Sequence, residues 1–142
     1  MNIIFRELNY EDYHKGYFEL MYEFTSYNKN ISVDEFKQYI DENYDKIRVI
    51  IIYDNEKNII IGSGSIFKLQ KIHNNPIGQL EDIIIKKEYQ NNGLGKLLIE
   101  KLINIGINEF KCYKIILNCI DKNFEFYKKL NFKTAGIQMK YM

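Results

Sequence analysis

The sequence predicts a mixed α/β domain in which helices cover the faces of a sheet. Three observations predict this class: short apolar runs typical of buried strands, segments whose apolar residues recur at helical spacing, and the alternation of the two along the chain. The predicted order of elements is β-α-α-β-β-β-α-β-α-β. Because 142 residues with 46% hydrophobic side chains can bury one sizeable core, residues 1–142 are expected to form a single domain.

The first part of the chain is expected to form one strand and two helices. IIFREL (3–8) reads as a short strand. From Tyr10 onward, apolar and aromatic residues recur at helical spacing, which is typical of a helix packed on a core. Ser32 can cap a second helix, VDEFKQYIDENY, and Glu35 completes a capping box with it.

Three strands should follow. RVIIIYD (48–54) and NIIIGSGSIFKLQK (58–71) are apolar runs that the turn NEKN joins into a hairpin. Gly62 and Gly64 lie inside the second run, where glycine indicates a bulge or the close approach of another chain or a ligand. QLEDIII (79–85) begins polar and ends in a buried isoleucine run.

The C-terminal part alternates helices with strands. A helix with leucines and isoleucines on one face is predicted from about residue 93 to 108. CYKIILNC (112–119) looks buried enough for a central strand. Asp121 can cap a short helix in KNFEFYKKL (122–130), and NFKTAGIQMKYM (131–142) reads as a final strand.

Composition argues against several classes of protein. The chain has 20 basic and 19 acidic residues, a balance that does not favour a general nucleic-acid or membrane-surface binder. No apolar run approaches the roughly 18 residues of a membrane span, and the N-terminus lacks signal-peptide features. Cys112 and Cys119 lie seven apart in one predicted strand and face opposite sides, so a reduced, cytoplasmic protein without a zinc site is expected.

The stretch EYQNNGLGKLL places two of the chain's 8 glycines where a helix begins. Glycine there leaves helix N-terminal N–H groups open to a phosphate. A Walker loop would need glycine at Gln90 and Ser or Thr at Leu97, and a dinucleotide fingerprint would need glycine at Leu98. Neither pattern fits, which leaves an ordinary loop-to-helix junction or a third phosphate-binding pattern.

The third pattern, Q/R-x-x-G-x-G/A, is met by Gln90, Gly93 and Gly95 and resembles the cofactor loop of the GNAT superfamily. GQLEDIIIKKEYQNNGLGKLLIEKL, CYKIILNC and KNFEFYKKLNF together resemble its glucosamine-6-phosphate N-acetyltransferase branch over residues 78–139. The resemblance implies a homodimeric enzyme of the GNAT fold. It would move acetyl from acetyl-CoA directly to the amine of glucosamine 6-phosphate, for UDP-N-acetylglucosamine synthesis.

The resemblance also implies a cofactor site. Main-chain groups of Ile83, Ile84 and Ile85 would meet the pantetheine arm, and Tyr127 would protonate or hydrogen-bond the leaving thiolate. The CoA diphosphate would be held by Asn91, Asn92, Gly93, Leu94, Gly95 and Lys96. Asn91 departs from the family's usual glycine and is expected to adopt a backbone angle that Asn tolerates. The cofactor contacts would be completed by Asn118, Asn123 and Lys129.

The acceptor site is implied in the same way. Glu81 and Asp82 point to opposite faces of a strand, so they cannot act as a dyad; they would contact the sugar hydroxyls and the amine. Asn118 stands where many relatives have Asp or Glu, so a main-chain carbonyl or a water would accept the amine proton. Lys114 is expected to be the main cation for the sugar phosphate. For the tail arginine of the family two alternatives stay open: Lys140 replaces it, or the contact is missing. The other substrate contacts would be Thr25, Lys71, Ile72, His73, Ile83 and Tyr113.

Two other functions fit parts of the sequence. The same fold and cofactor could serve another small amine or a protein N-terminus. A CoA-binding domain without turnover would account for Asn118 and for the missing tail arginine. No metal is expected in any of the three cases.

Overall fold

The computed structural model describes residues 2–142. Its five strands are β1 (Ile3–Glu7), β2 (Ile47–Asp54), β3 (Ile59–Leu69), β4 (Ile77–Ile85) and β5 (Lys114–Ile116). The four α-helices are α1 (Tyr17–Thr25), α2 (Val33–Asn43), α3 (Leu94–Asn104) and α4 (Phe124–Lys129). The predicted mixed α/β class is confirmed, and the order of elements agrees with the prediction as far as α4.

The strands form one sheet in the order β1-β2-β3-β4-β5. The first four pair antiparallel with their neighbours, whereas β5 runs parallel to β4. The parallel pair is the one that needs a crossover, and α3 supplies it. The beginning of α3 therefore follows the C-terminal end of β4, beside the one parallel junction of the sheet.

Both faces of the sheet are covered, which explains why its strands read as continuous apolar runs. On one face Ile51 packs with Leu20 and Met21 of α1. On the other face Ile52 packs in a larger core that includes Leu98 of α3. Successive residues of β2 point to opposite faces, and both of these environments are apolar.

The prediction of one helix starting at Tyr10 is wrong. Residues Tyr10–His14 form a short 3₁₀ turn, and α1 starts only after Gly16, whose φ is 97°. A Cβ added at Gly16 would lie 2.9 Å from Cγ1 of Ile59, so the chain uses glycine both to turn and to pass close to β3. The predicted capping box of α2 is confirmed, because Ser32 and Glu35 exchange hydrogen bonds of 2.9 and 3.1 Å.

The prediction of a long central strand over 112–119 is also wrong. β5 contains three residues and lies at the edge of the sheet, because β4 pairs with it only over Ile77–Gln79. Cys112 is buried and Cys119 is exposed; both are free thiols outside the strand. The two cysteines form no disulfide with each other. The sequence predicted this from the alternation of side chains within one strand, but neither cysteine lies in β5.

Two further differences lie near the C-terminus. Asp121 does not cap a helix; Asp121–Asn123 form a 3₁₀ turn, and α4 follows without a side-chain cap. Within the described chain, residues 131–142 form no strand, so the predicted final strand is wrong. Ile137, Met139 and Tyr141 recur at strand spacing and are 93%, 90% and 101% exposed, so this tail has no strand partner among residues 2–142.

Candidate active site

Helix α3 begins with an open N-terminus directly after β4 and a short loop. Gly93 occupies the N-cap position with a φ of 78°, and no side chain caps the first turn. The N–H groups of that turn lack the partner that Ser or Asp would supply. Because the helix dipole adds positive potential at the same place, this end of α3 suits an anion.

Asn91, Gly93 and Gly95, around the start of α3, differ in what their backbone and surroundings require. Asn91 has a φ of 65°, the kind of angle that the sequence predicts for it. A Cβ built on Gly93 would meet no atom within 4 Å, so Gly93 serves the left-handed backbone and leaves the space above it open. A Cβ built on Gly95 would lie 3.1 Å from Cζ of Phe126. Gly95 thus allows α3 to pack closely on α4, a role beyond the phosphate access that the sequence suggested.

The strands β4 and β5 separate beside this loop. Their parallel pairing ends at Gln79 and Ile116, whereas β4 continues to Ile85. In the described part of the chain, residues 80–85 therefore have no strand on their β5 side. An extended ligand can pair with such an exposed strand edge.

The isoleucine run of β4 is half-buried, and its side chains pack against the two cores. Ile83 and Ile85 pack against the core under α3, and Ile84 packs against the core under α1. The carbonyl of Ile85 accepts a hydrogen bond of 2.9 Å from Nε2 of Gln90. The run thus contributes its side chains to the two cores, while its main chain lies at the splayed edge.

A bulge interrupts β4 in the middle of the candidate site. Ser63 pairs with Ile84 and Ser65 pairs with Glu81, so two residues of β4 stand opposite Gly64. One of these two, Asp82, has a φ of 54°. A bulge disrupts the local ladder and redirects main-chain and side-chain groups, and it confirms the prediction made from the glycines of β3.

The two adjacent carboxylates have different surroundings. Glu81 accepts a hydrogen bond of 2.6 Å from Nε2 of Gln79 on the same face of β4. Desolvation raises the pKa of Asp82. The pKa of Tyr17 is raised to about 12, mainly by burial and then by the negative charge of Asp82. The pKa of Tyr39 is raised by the same two causes in the same order. The charge of Asp82 thus acts on one phenol of α1 and one of α2. Sequence reasoning treated Tyr17 as core packing and did not single out Tyr39.

Tyr127 is buried at the edge of a large cavity. Its side chain is 9% exposed, and its ring lies 5.0 Å from that of Phe126 and 5.9 Å from that of Phe132. Burial, followed by the neighbouring Cys119, raises the pKa of Tyr127, so the phenol keeps its proton at neutral pH. The cavity has a volume of about 680 Å³, lies between β5, α4 and the tail, and is lined in part by Lys114, Asn118 and Tyr127.

The cations predicted for the sugar phosphate lie at the opposite end of β4 from the glycine loop. Lys71, Ile72 and His73 are exposed in the connection between β3 and β4. The N–H of Tyr113 donates a hydrogen bond of 3.0 Å to the carbonyl of Pro76, so the start of β5 lies against this connection. Lys114, the first residue of β5, is exposed there and also reaches the large cavity.

Four more of the predicted site residues do not line the large cavity: Thr25, Lys96, Asn123 and Lys129. The hydroxyl of Thr25 donates within its own region, 3.0 Å from the carbonyl of Met21. Lys96 lies in the first turn of α3, and its Nζ is 3.8 Å from Oε1 of Glu100 in an exposed pair. The last two, Asn123 before α4 and Lys129 at its end, are exposed.

Three further features of residues 2–142 bear on what the protein can bind. A smaller cavity, about 270 Å³, lies between β1 and α2, and none of the predicted site residues lines it. In these residues no three His, Cys, Asp or Glu side chains come together as metal ligands would. None of the helices in this range is both long and apolar enough to cross a bilayer.

Comparison with known proteins identifies the family. The sequence model of the acetyltransferase (GNAT) family matches residues 5–132. The chain belongs to the acetyltransferase (GNAT) family. The predictions of the GNAT fold and of an acetyl-CoA-dependent N-acetyltransferase are thereby confirmed.

Individual members of the GNAT family resemble this chain over nearly its whole length. Glucosamine 6-phosphate N-acetyltransferase 1 of Dictyostelium discoideum is 37% identical over 96% of this chain and 88% of its own. The glucosamine 6-phosphate N-acetyltransferase of Candida albicans is 31% identical over 95% of this chain and 92% of its own. The crystal structure of the enzyme of that name from Arabidopsis thaliana superimposes with a TM-score of 0.90 at 26% identity, covering 100% of this chain and 99% of the other.

Proposed function

We propose that this acetyltransferase moves acetyl from acetyl-CoA to the amine of D-glucosamine 6-phosphate. The products are CoA and N-acetyl-D-glucosamine 6-phosphate, a precursor for UDP-N-acetylglucosamine. The observation that carries the choice of acceptor is the similarity, along nearly the whole chain, to relatives named for this activity. The open end of α3, the splayed strands and the buried Tyr127 support acetyl transfer at one site.

The residues present fit a CoA diphosphate. The uncapped N-terminus of α3 offers N–H donors and a positive dipole, and the space above Gly93 is open. On this proposal the diphosphate lies on the main chain of Asn91, Asn92, Gly93, Leu94, Gly95 and Lys96. The pantetheine arm runs along the free edge of β4 at Ile83, Ile84 and Ile85. The rest of the cofactor contacts come from Asn118, Asn123, Tyr127 and Lys129.

The chemical step is a direct attack. The amine nitrogen of the sugar forms a bond to the acetyl carbon, and the carbon–sulfur bond breaks with its electron pair on sulfur. A main-chain N–H beside the bulge, at Ile83, donates to the carbonyl oxygen as negative charge develops on it. The bulge supports this role because it interrupts the ladder that would otherwise occupy such a group.

Tyr127 stabilises the departing sulfur. An ordinary thiol has a pKa of about 8.5 and an ordinary phenol about 10, and burial raises the pKa of Tyr127 further. Complete transfer of the phenolic proton to the thiolate is therefore uphill. Tyr127 accordingly acts by donating a hydrogen bond to the thiolate rather than by giving up its proton.

The proton of the attacking amine leaves by another route. The amide of Asn118 is not a base at neutral pH, and a main-chain carbonyl at this position can only accept a hydrogen bond from the amine and orient it, so a water carries the proton away to solvent. Glu81 and Asp82 hold the sugar hydroxyls and the amine. A sugar amine titrates close to neutrality, so a large fraction is already unprotonated and the demand on a base is low.

Lys114 binds the sugar phosphate, supported by Lys71, His73 and Tyr113 at the same end of β4. Ile72 and Thr25 complete the acceptor contacts. Replacing Lys114 by Ala should raise KM for glucosamine 6-phosphate by about tenfold and leave KM for acetyl-CoA unchanged. The matched control is Lys122→Ala, on the exposed turn before α4. A loss of acetyl-CoA affinity in Lys114→Ala would contradict this placement of the two substrates.

A homodimer is part of the proposal. β5 is a three-residue edge strand, and the tail carries Ile137, Met139 and Tyr141 at strand spacing with their side chains exposed. A second copy of the chain would pair with these groups and cover them, with Lys140 beside the acceptor site. Light scattering should give twice the chain mass, and removal of residues 133–142 should give a monomer. A full-length monomer at micromolar concentration would contradict the dimer.

The acceptor assignment is tested with a panel of amines. Release of CoA thiol is measured with acetyl-CoA and either glucosamine 6-phosphate, glucosamine, another small amine or a peptide with a free N-terminus. The proposal predicts that kcat/KM is about a hundredfold higher for the phosphosugar than for glucosamine. Equal rates with and without the phosphate would point to another acceptor, and no turnover with any amine would point to a binding domain. A cytoplasmic location, which two free cysteines favour, belongs to the same proposal.

A further inference from the structure

Tyr89 lies where the glycine loop leaves the sheet. It ends the 3₁₀ turn Lys87–Tyr89, directly before Gln90, and its side chain is 6% exposed. Its hydroxyl donates a hydrogen bond of 2.6 Å to Oδ2 of Asp54, the last residue of β2. The two residues are 35 positions apart, so this contact ties the loop to a distant part of the sheet.

Asp54 is itself held in one orientation. It is 2% exposed, and its Oδ1 accepts hydrogen bonds from the N–H groups of Glu56 at 3.0 Å and Lys57 at 3.2 Å. Both carboxylate oxygens are therefore engaged, one by the β2–β3 turn and the other by Tyr89. The hydrogen bond lowers the pKa of Asp54 and raises the pKa of Tyr89 to about 12, so the phenol remains a donor across the physiological range.

Tyr89 also contacts the loop through its main chain. Its carbonyl accepts a hydrogen bond of 3.2 Å from Nδ2 of Asn92, the residue before Gly93. A second hydrogen bond holds the chain just before the 3₁₀ turn: the N–H of Lys86 donates to the carbonyl of Ile61 in β3 at 2.8 Å. A chain of hydrogen bonds thus runs from the carboxylate of Asp54, through Tyr89, to Asn92, the residue before Gly93.

We infer that Tyr89 and Asp54 are positioning residues for the cofactor: their buried hydrogen bond fixes the glycine loop so that its N–H groups converge on one anion. Neither side chain touches the ligand. A loop that can move loses part of its affinity for a diphosphate, because the N–H groups must then be ordered on binding. This inference rests on the proposed function, since it takes the loop after Tyr89 as the diphosphate site.

The test compares two acetyl donors. Acetyl-CoA carries the diphosphate and the 3′-phosphoadenosine, and acetyl-pantetheine carries neither, so the ratio of their kcat/KM values measures the contribution of that whole part of the cofactor; a change of the ratio in a variant of Tyr89 or Asp54 reports how much of it depends on the loop. In Tyr89→Phe and in Asp54→Asn we expect KM for acetyl-CoA to rise about tenfold, and the ratio to fall by the same factor. The kcat/KM for acetyl-pantetheine and KM for the phosphosugar should not change. The double variant should match the worse single variant, because the two residues act as one unit.

Tyr53→Phe is the matched control. Tyr53 is a buried tyrosine of β2, next to Asp54. Its hydroxyl donates a hydrogen bond of 3.2 Å to Oδ1 of Asn58 and not to the glycine loop. This variant should keep the wild-type donor ratio, even if its melting temperature falls as much as that of Tyr89→Phe.

The outcomes separate the inference from the proposed function. If the wild-type protein prefers acetyl-CoA and Tyr89→Phe and Asp54→Asn keep that preference, the positioning role is refuted and the proposed function stands. An equal loss with both donors would also refute it, because that result indicates general destabilisation. If the wild-type protein shows no preference for acetyl-CoA, the assignment of the diphosphate to this loop fails, and the inference fails with it.

Discussion

Asp82 of β4 stands opposite Gly64 of β3 in a left-handed conformation, with a φ of 54°. The relationship is a two-against-one bulge at the point where β4 has lost its neighbour β5. It places irregular main chain beside the splayed edge, where the proposed reaction takes place. A Cβ on Gly64 would lie 2.7 Å from Cδ1 of Ile83 and 3.0 Å from Cδ1 of Leu102, so a larger residue would force these packed side chains to shift.

Gly64→Ala should therefore reduce both stability and turnover. Overpacking against Ile83 is expected to cost about 1–3 kcal/mol in the free energy of unfolding and to displace the bulge, which lowers kcat. Urea denaturation and steady-state kinetics measure the two effects. Gly78→Ala is the control, because its Cβ would meet Cδ1 of Ile115 at the same 2.7 Å, away from the bulge. It should lose stability but keep kcat; equal losses of kcat in both variants would argue against a catalytic role for the bulge.

Tyr127→Phe should lower kcat by about tenfold to a hundredfold with little change in KM for either substrate. The reason is that the hydroxyl is proposed to stabilise negative charge that exists on sulfur only during the reaction. The ring, which packs between Phe126 and Phe132, is retained, so the melting temperature should change little. Tyr22→Phe on the exposed face of α1 serves as the control. An unchanged kcat in Tyr127→Phe would remove this residue from the mechanism.

The glycines at the start of α3 should respond differently to substitution. Gly93→Ala introduces no clash but imposes a left-handed backbone on alanine, at about 1–2 kcal/mol, so KM for acetyl-CoA should rise. Gly93→Asn tolerates the angle and should lie closer to wild type. Gly95→Ala should mainly reduce stability, because its Cβ would press on Phe126. Isothermal titration with CoA and thermal melts separate the two effects, and identical profiles for Gly93→Ala and Gly95→Ala would contradict this division.

The stability of the fold should decline at alkaline pH partly through Tyr17. Its pKa is raised from 10.0 to about 12, so between these values the unfolded chain releases a proton that the folded chain keeps. The contribution of Tyr17 is complete below pH 10 and is lost as the pH rises toward 12. Urea denaturation from pH 7 to 11 should give a shallower alkaline decline for Tyr17→Phe than for wild type. Tyr22→Phe, whose side chain is 58% exposed, should keep the wild-type decline; the same slope in all three proteins would refute this assignment.

Features set by local chemistry could be predicted from the sequence. The capping box of Ser32 and Glu35, the left-handed Asn91 and the glycine-rich start of α3 each depend on a few neighbouring residues. The bulge was indicated by glycines within a strand, although its partner Asp82 was not.

Features that depend on distant partners could not be predicted. The length of β5 is set by where β4 diverges, and the 131–142 segment has strand spacing but pairs with no strand in the described range 2–142. The break at Gly16 reflects its close approach to Ile59, 43 residues away along the chain. The bond between Tyr89 and Asp54 joins two residues that no short motif connects.

The most direct test of the proposed function follows the acetyl carbon itself. Acetyl-CoA labelled with ¹³C in the carbonyl is mixed with the purified protein and glucosamine 6-phosphate, and NMR spectra are recorded as CoA thiol appears. The proposal predicts that the label moves to an amide on the C2 nitrogen of the phosphosugar, in amounts equal to the thiol released. A label that stays on CoA, or that appears only in free acetate, while the folded protein binds CoA, would contradict it.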